Sequence, residues 1–188
     1  MTKLILASAS PRRLELLKSI NIYPDVVQGA KIDERIKKKE KVKIFLKRIC
    51  LEKGLRVQKN YKDDIILSAD TIVTTKQKIF GKPKNKVDAM ETLKYLSGRN
   101  HTVRTSVCVL FRKKKKIKII STKIKFKNYH NLEIEEYLKT NEWQDKAGAY
   151  AIQGFAEQFI IKINGSYSNV VGLPLYETIN LLKSIKSF

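Results

Sequence analysis

The chain has 188 residues, 43% of them hydrophobic, with 39 Lys and Arg against 18 Asp and Glu and a formal net charge of +21; it can bury a core, is not a disordered chain, and suits one domain over residues 1–188. The charge points to nucleic acid, an anionic surface or a polyphosphate, or else to lysines placed at every tolerant surface position, which their spread along the chain favours. No apolar run reaches the ~18 residues of a membrane span, the start lacks a signal-peptide core before Pro11-Arg12-Arg13, and two distant cysteines with two histidines exclude a disulfide scaffold and a Cys- or His-based metal cluster.

Residues 3–7 read as a short buried strand. Ser10 suits an N-cap and Pro11 a first helical position, so a helix is expected over 11–20, entered straight from the strand. Val42, Phe45, Leu46, Ile49 and Cys50 recur at the spacing of a helical core face, and Lys53 continues that stripe. Residues 64–75 read as a β run rich in branched residues. Asn85 caps a helix carrying Met90, Leu93 and Leu96, with Gly98 past its end. Residues 102–111 and 117–127 read as a hairpin with Arg112–Lys116 as its tip. Asn131 starts a helix over 132–139, residues 158–163 read as a buried strand, and Pro174 opens a last helix. Mixed strands and helices with an antiparallel hairpin predict an α/β fold with a mixed sheet.

Several residues could carry chemistry. In Ser8-Ala9-Ser10-Pro11-Arg12-Arg13 a strand leads to a helix N-terminus, where free N–H groups, two hydroxyls and two guanidinium forks suit phosphate. A capped helix with two solvated arginines explains the same residues, and local physics leaves the two readings level. Asp70 interrupts Ile65–Ala69 and Thr71–Val73. A carboxylate between such apolar flanks is costly unless paired or bound to a metal, so a functional role is favoured over a strand-end bulge. With no Cys or His cluster, a metal here would rest on carboxylates, as a hard ion such as Mg²⁺ does. Lys53 reads locally as a snorkelling core-edge residue. Gly81-Lys82-Pro83 presents Lys82 on a stiff turn but is ordinary in isolation. Gly148–Gly154 offers close backbone approach and, in Gln153, a side chain that both donates and accepts, as reading a base edge requires. The polar loop Gly165–Pro174 reads equally well as a cap-rich turn. The lysines at 36–43 and 112–116 read as a solvated face and a hairpin tip.

Taken together and in this order, Ser8 to Arg13, Asp33-Glu34, Lys53, Ser68-Ala69-Asp70-Thr71, Gly81-Lys82-Pro83, Ser97-Gly98 with His101, Gly148 to Gly154 and Ser166 to Pro174 resemble the Maf family of nucleoside triphosphate pyrophosphatases. The resemblance spans essentially the whole chain. It implies an α/β fold of the Maf and inosine triphosphatase kind, with a long bent mixed β-sheet flanked by helices and two lobes around a deep cleft. It implies hydrolysis of a nucleoside triphosphate to the monophosphate and pyrophosphate with a divalent cation, Mg²⁺ or Mn²⁺. Carried over residue by residue, Asp70, Lys53 and Lys82 are catalytic. Ser8, Ser10, Arg12, Arg13, Thr71 and Gln153 meet the substrate, and Glu34 and Asp70 hold the metal. The branch acting on dTTP and UTP carries Thr after the catalytic Asp and Gln before the second Gly, here Thr71 and Gln153. The 7-methyl-GTP branch, the alternative, typically has other residues at both places, and Arg13 lies where the family sets its specificity. A cytoplasmic protein with a small-molecule partner and no membrane is implied, and a homodimer is carried over in the same way. The Lys-rich stretch 36–43 and the net charge depart from the family but lie outside its motifs. A basic nucleic-acid-binding module is the other class. It is disfavoured because no helix-turn-helix, zinc finger or RNP-type aromatic signature is present.

Overall fold

The computed structural model describes residues 2–186. Its elements are β1 (Leu4–Ala7), α1 (Pro11–Lys18), β2 (Val26–Val27), α2 (Val42–Gln58), β3 (Ile65–Thr74), β4 (Ile79–Phe80), α3 (Lys86–Leu96), β5 (Asn100–Phe111), β6 (Lys114–Phe126), α4 (Asn131–Lys139), β7 (Ile160–Asn164), α5 (Tyr167–Val171) and α6 (Leu175–Lys186), with short 3-10 turns at Ala147–Ala149 and Phe155–Phe159. The strands form one seven-stranded sheet in the order β2-β1-β3-β5-β6-β7, with β4 on β3. It is mixed: β1 runs parallel to β2 and β3, whereas β4 on β3 and β7 on β6 are antiparallel. The expected α/β class with a mixed sheet is therefore the one found. Among the described residues no helix is long and apolar enough to cross a membrane.

The chain divides into two compact units. Of the described residues, the first comprises 2–70, 105–120 and 172–186, and the second 71–104 and 121–171. The first is built on β1, whose register with β3 pairs Leu4 with Ile65 and Ala7 with Ser68. Ile5, Ala7, Ile66, Cys108 and Leu110 from strands meet Cys50 and Val57 from α2 in one apolar cluster. The α2 stripe read from the sequence is the buried one, since Phe45, Leu46, Ile49 and Cys50 are all buried.

The second unit has an aromatic core. Phe126 is fully buried and lies edge-on to His101, Tyr129, Tyr150 and Phe159. His101 Nε2 lies 2.9 Å from the Tyr150 hydroxyl, and burial pushes the imidazole down to about 4. A histidine neutral in the fold but free to protonate at its usual ~6.5 once unfolded makes the unfolded state the better proton binder between those values. Stability is thus complete above pH ~6.5 and falls as pH drops toward 4. The expected contribution is about 1 kcal/mol per pH unit in that window, read from urea midpoints. His101→Phe should flatten it.

Four local expectations need correction. The first helix stops at Lys18 rather than residue 20. The hairpin turns at Arg112-Lys113, and Lys114–Lys116 belong to β6 rather than the tip. The residue before the fourth helix is His130, not Asn131, and the His130 backbone N–H donates to Glu133 Oε2 at 2.9 Å. Finally, 158–163 is no buried strand. Residues 158–159 complete a 3-10 turn, and β7 is an exposed strand at the end of the sheet with Ile161 63% exposed.

Candidate active site

In the first unit, the loop from β1 to α1 places Ser8, buried, at the end of the strand. Its Oγ accepts the Ser10 backbone N–H at 3.2 Å and Arg13 Nη1 at 3.1 Å. With both lone pairs engaged, the hydroxyl proton is the group Ser8 has to offer a ligand. Ser10 stands at the N-cap of α1 but its side chain makes no capping bond, so the helix start is not closed by its own hydroxyl. Arg13 is half-buried and fixed by a 2.8 Å bond from Nε to the Gly172 carbonyl. Burial lowers its pKa, opposed by the charges of Asp70 and Glu34. It stays a cation facing the site's two carboxylates. Arg12, also half-buried, precedes it on α1.

Lys53 is the centre of the cluster. It projects from α2 with its side chain only 13% exposed, and Nζ lies 2.7 Å from Asp70 Oδ1 and 2.9 Å from Glu34 Oε2. Asp70 comes from β3, buried as its apolar flanks required, and Glu34 from the loop before α2, half open to solvent. That loop is anchored rather than loose. Arg48, on α2, donates to both oxygens of Glu40 at 2.7 Å and to the Arg35 carbonyl at 3.0 Å. The same guanidinium holds the Glu40 carboxyl down at about 2. The snorkelling reading of Lys53 is thus incomplete: its stem follows the core stripe, and its ammonium ends on two carboxylates.

Among the described residues no three His, Cys, Asp or Glu side chains gather as a ready-made metal cage. Two carboxylates on one locus is nevertheless the protein share that Mg²⁺ takes when phosphate oxygens and waters complete its octahedron. Glu34 and Asp70 offer carboxylate oxygens of the kind a hard divalent ion takes.

The second unit holds the other candidates. Lys82 is exposed and pairs with the exposed Asp145 at 3.2 Å, a surface contact of little stability value. Its loop is tied to the Gly148 segment by the Gly148 N–H, which donates to the Gly81 carbonyl at 3.0 Å. Gly148 has φ +76°, and a Cβ there would meet Val73 Cγ2 at 2.8 Å, so the turn needs glycine on both counts. Past it, Gln153 stands exposed, flanked by the buried Ile152 and by Gly154, after which the Phe155 N–H is held by Glu142 Oε2 at 2.9 Å. Thr71 is half-buried at the start of the second unit's part of β3.

Two motifs resolve toward scaffolding. Asn169 is fully buried and donates to the Val103 carbonyl at 3.2 Å and to Thr122 Oγ1 at 2.9 Å, while the Ser166 N–H donates to Thr122 Oγ1 at 3.1 Å. The 166–170 segment therefore fastens α5 to β5 and β6. Gly98, φ +66°, ends α3 against Asn128. One half-buried cation escaped the sequence reading. Arg104 on β5 donates through Nη1 to Thr74 Oγ1. Its signal, a charge inside a strand-like run, is the one that singled out Asp70.

The Maf-like protein family matches residues 3–185. The chain is 47% identical over 187 residues to a dTTP/UTP pyrophosphatase of Rhizobium johnstonii, covering 96% of this chain and 91% of that one. It is 42% identical to a dTTP/UTP pyrophosphatase of Caulobacter vibrioides, with 97% and 95% covered. It is 43% identical to a nucleoside triphosphate pyrophosphatase of Ehrlichia chaffeensis, with 95% and 94% covered. Among solved structures, the Staphylococcus aureus Ham1 protein superposes with a TM-score of 0.51 at 13% identity over 97% of this chain and 96% of that one, a likeness of fold.

Proposed function

The chain belongs to the Maf family, and from that membership we propose that it is a pyrophosphatase acting on dTTP and UTP, releasing the nucleoside monophosphate and pyrophosphate. The observation that carries the reading is the Asp70–Lys53–Glu34 cluster beside the Ser8–Arg13 loop, which sets a carboxylate base among cations able to receive a triphosphate. The triphosphate carries roughly four negative charges, and Arg12, Arg13, Lys53 and Lys82 neutralise them, with the Ser8 and Ser10 hydroxyls donating to phosphate oxygens. Asp70 accepts a proton from the attacking water as the water oxygen bonds to the α-phosphorus and the bond to the bridging oxygen of pyrophosphate breaks. No protein group becomes covalently attached, and among the described residues no Ser-His-Asp grouping is present to activate a serine. A divalent cation, when held by Glu34 and Asp70, supplies further neutralisation of the leaving pyrophosphate. Thr71 and Gln153 belong to the recognition of the base. Both cysteines are buried free thiols, which supports the cytoplasm as the compartment.

The test is a pyrophosphate-release screen over common and modified nucleoside triphosphates. UTP and dTTP should lead, with release of pyrophosphate and not of single phosphates. Preference for 7-methyl-GTP would overturn the assignment.

Lys53→Met separates a working ammonium from a core-edge stem. It should cost ~10²–10³ in kcat/KM, because the lost cation acts on charge that grows in the transition state. It should also destabilise by up to about 3 kcal/mol, since Asp70 then loses its closest cation. A variant that is more stable and fully active would return Lys53 to the snorkelling role.

A further inference from the structure

The Lys53–Asp70 bond joins a helix to a strand, and its 2.7 Å length depends on how α2 is held on β3. Both partners sit beside a set of buried contacts that the catalytic reading leaves unused. Ser68, two residues before Asp70 and on the same face of β3, donates through Oγ to the Cys50 carbonyl at 2.8 Å. Cys50, three residues before Lys53 on α2, returns the contact through Sγ to the Ser68 carbonyl at 3.4 Å and to the Ser106 carbonyl on β5 at 3.3 Å. Burial pushes the Cys50 thiol up to about 11, so it remains a protonated donor. Gly54, next to Lys53, lets the helix come this close, for a Cβ there would lie 2.9 Å from Ser68 Oγ and 3.0 Å from Leu110 Cδ1.

We propose that Ser68, Cys50 and Gly54 form a positioning clamp that registers α2 on β3 and thereby sets the Lys53 ammonium on the Asp70 carboxylate. Each of the three is buried, and the polar groups of Ser68 and Cys50 are spent on main-chain carbonyls inside the fold. Ser68 and Cys50 each bond the other's main-chain carbonyl, and their side chains also meet, Sγ to Oγ, at 3.7 Å. That is the geometry of a device fixing two backbones, and the backbones it fixes carry Lys53 and Asp70 one to three residues away. The inference rests on the reading of Asp70 and Lys53 as catalytic.

The experiment is a kinetic series on UTP. Ser68→Ala should lower kcat about tenfold with KM within about twofold, as expected for misplacement by a fraction of an ångström rather than lost binding. Cys50→Ala should do the same, whereas Cys50→Ser, which keeps a donor at that site, should recover most of the rate. Gly54→Ala, which forces the helix off the strand, should lose more. The decisive arm repeats Ser68→Ala in a Lys53→Met background, where the clamp has no ammonium to place and the expected further loss is under twofold. A merely structural hydroxyl would instead cost the same factor in both backgrounds. That result, or wild-type kcat in Ser68→Ala, overturns the clamp. Should Ser68→Ala fail to fold, Cys50→Ala against Cys50→Ser decides on the same criteria. Absence of pyrophosphate release by the unmodified chain would instead overturn the catalytic reading beneath it.

Discussion

Asp70→Asn is expected to lower kcat on UTP by ~10²–10⁴ while the protein still folds. The change keeps the shape of the side chain and removes its charge and basicity. Asp70 is buried and receives Lys53 Nζ at 2.7 Å, and the asparagine carbonyl can still accept that bond. Lys53 also keeps Glu34 at 2.9 Å, so the ammonium is not left alone. The melting temperature should therefore move by no more than roughly 4 °C, the scale of a 1 kcal/mol change in a chain of this size. Glu34→Gln is the useful contrast. Glu34 is half open to water and does not carry the proton, so its replacement should cost less in rate and be partly relieved by raising the divalent cation concentration. A purified Asp70→Asn protein hydrolysing UTP near the wild-type rate would show that another group takes the proton.

The sequence announces these residues unequally. Asp70 was legible because burial of a carboxylate is expensive, and a single acid between two apolar runs announces that something compensates it. What compensates it was not legible. Lys53 and Glu34 lie 17 and 36 residues away in sequence, and local rules gave Lys53 to solvent. Only the packing of α2 across β3 and the anchoring of the 33–41 loop by Arg48 bring the three together. The clamp residues were silent for a similar reason. A serine, a cysteine and a glycine inside a strand and a helix look like small core residues until their backbone partners are known. Residues 158–163 mislead for the opposite cause. A run of six mostly apolar residues reads as interior, but here Phe159 fills the aromatic core while Ile161 and Ile163 project from an exposed strand that pairs with β6. The loop at 166–174 was undecidable from sequence because caps and ligands use the same residue types. Asn169 settles its own case by being buried with both amide bonds inside the fold.

UTP and dTTP are expected to be hydrolysed ahead of CTP by a factor on the order of 10²–10⁴ in kcat/KM. Uracil and thymine present a carbonyl, an N–H and a second carbonyl along one edge. Cytosine exchanges one carbonyl for an amine and loses the ring N–H. Gln153 can donate from its amide nitrogen and accept at its oxygen on adjacent groups of a single edge, which suits the first pattern and mismatches the second. It stands exposed in a segment pinned by Gly148 on Val73 and by Glu142 on the Phe155 N–H, so the backbone that carries it is set while its amide faces water. Such an amide pays no desolvation until a base covers it, and a mismatched base then leaves donors facing donors with no water to satisfy them. Discrimination of this kind comes from unpaired polar groups, which is why it exceeds what a methylene-sized fit achieves. Gln153→Glu removes the donor and adds an acceptor. It should shrink the UTP-to-CTP ratio by tenfold or more, chiefly by lowering turnover of UTP, and leave the melting temperature unchanged because the side chain is exposed. A ratio unaltered by the substitution would remove Gln153 from base recognition and move the specificity to Thr71 or Arg13.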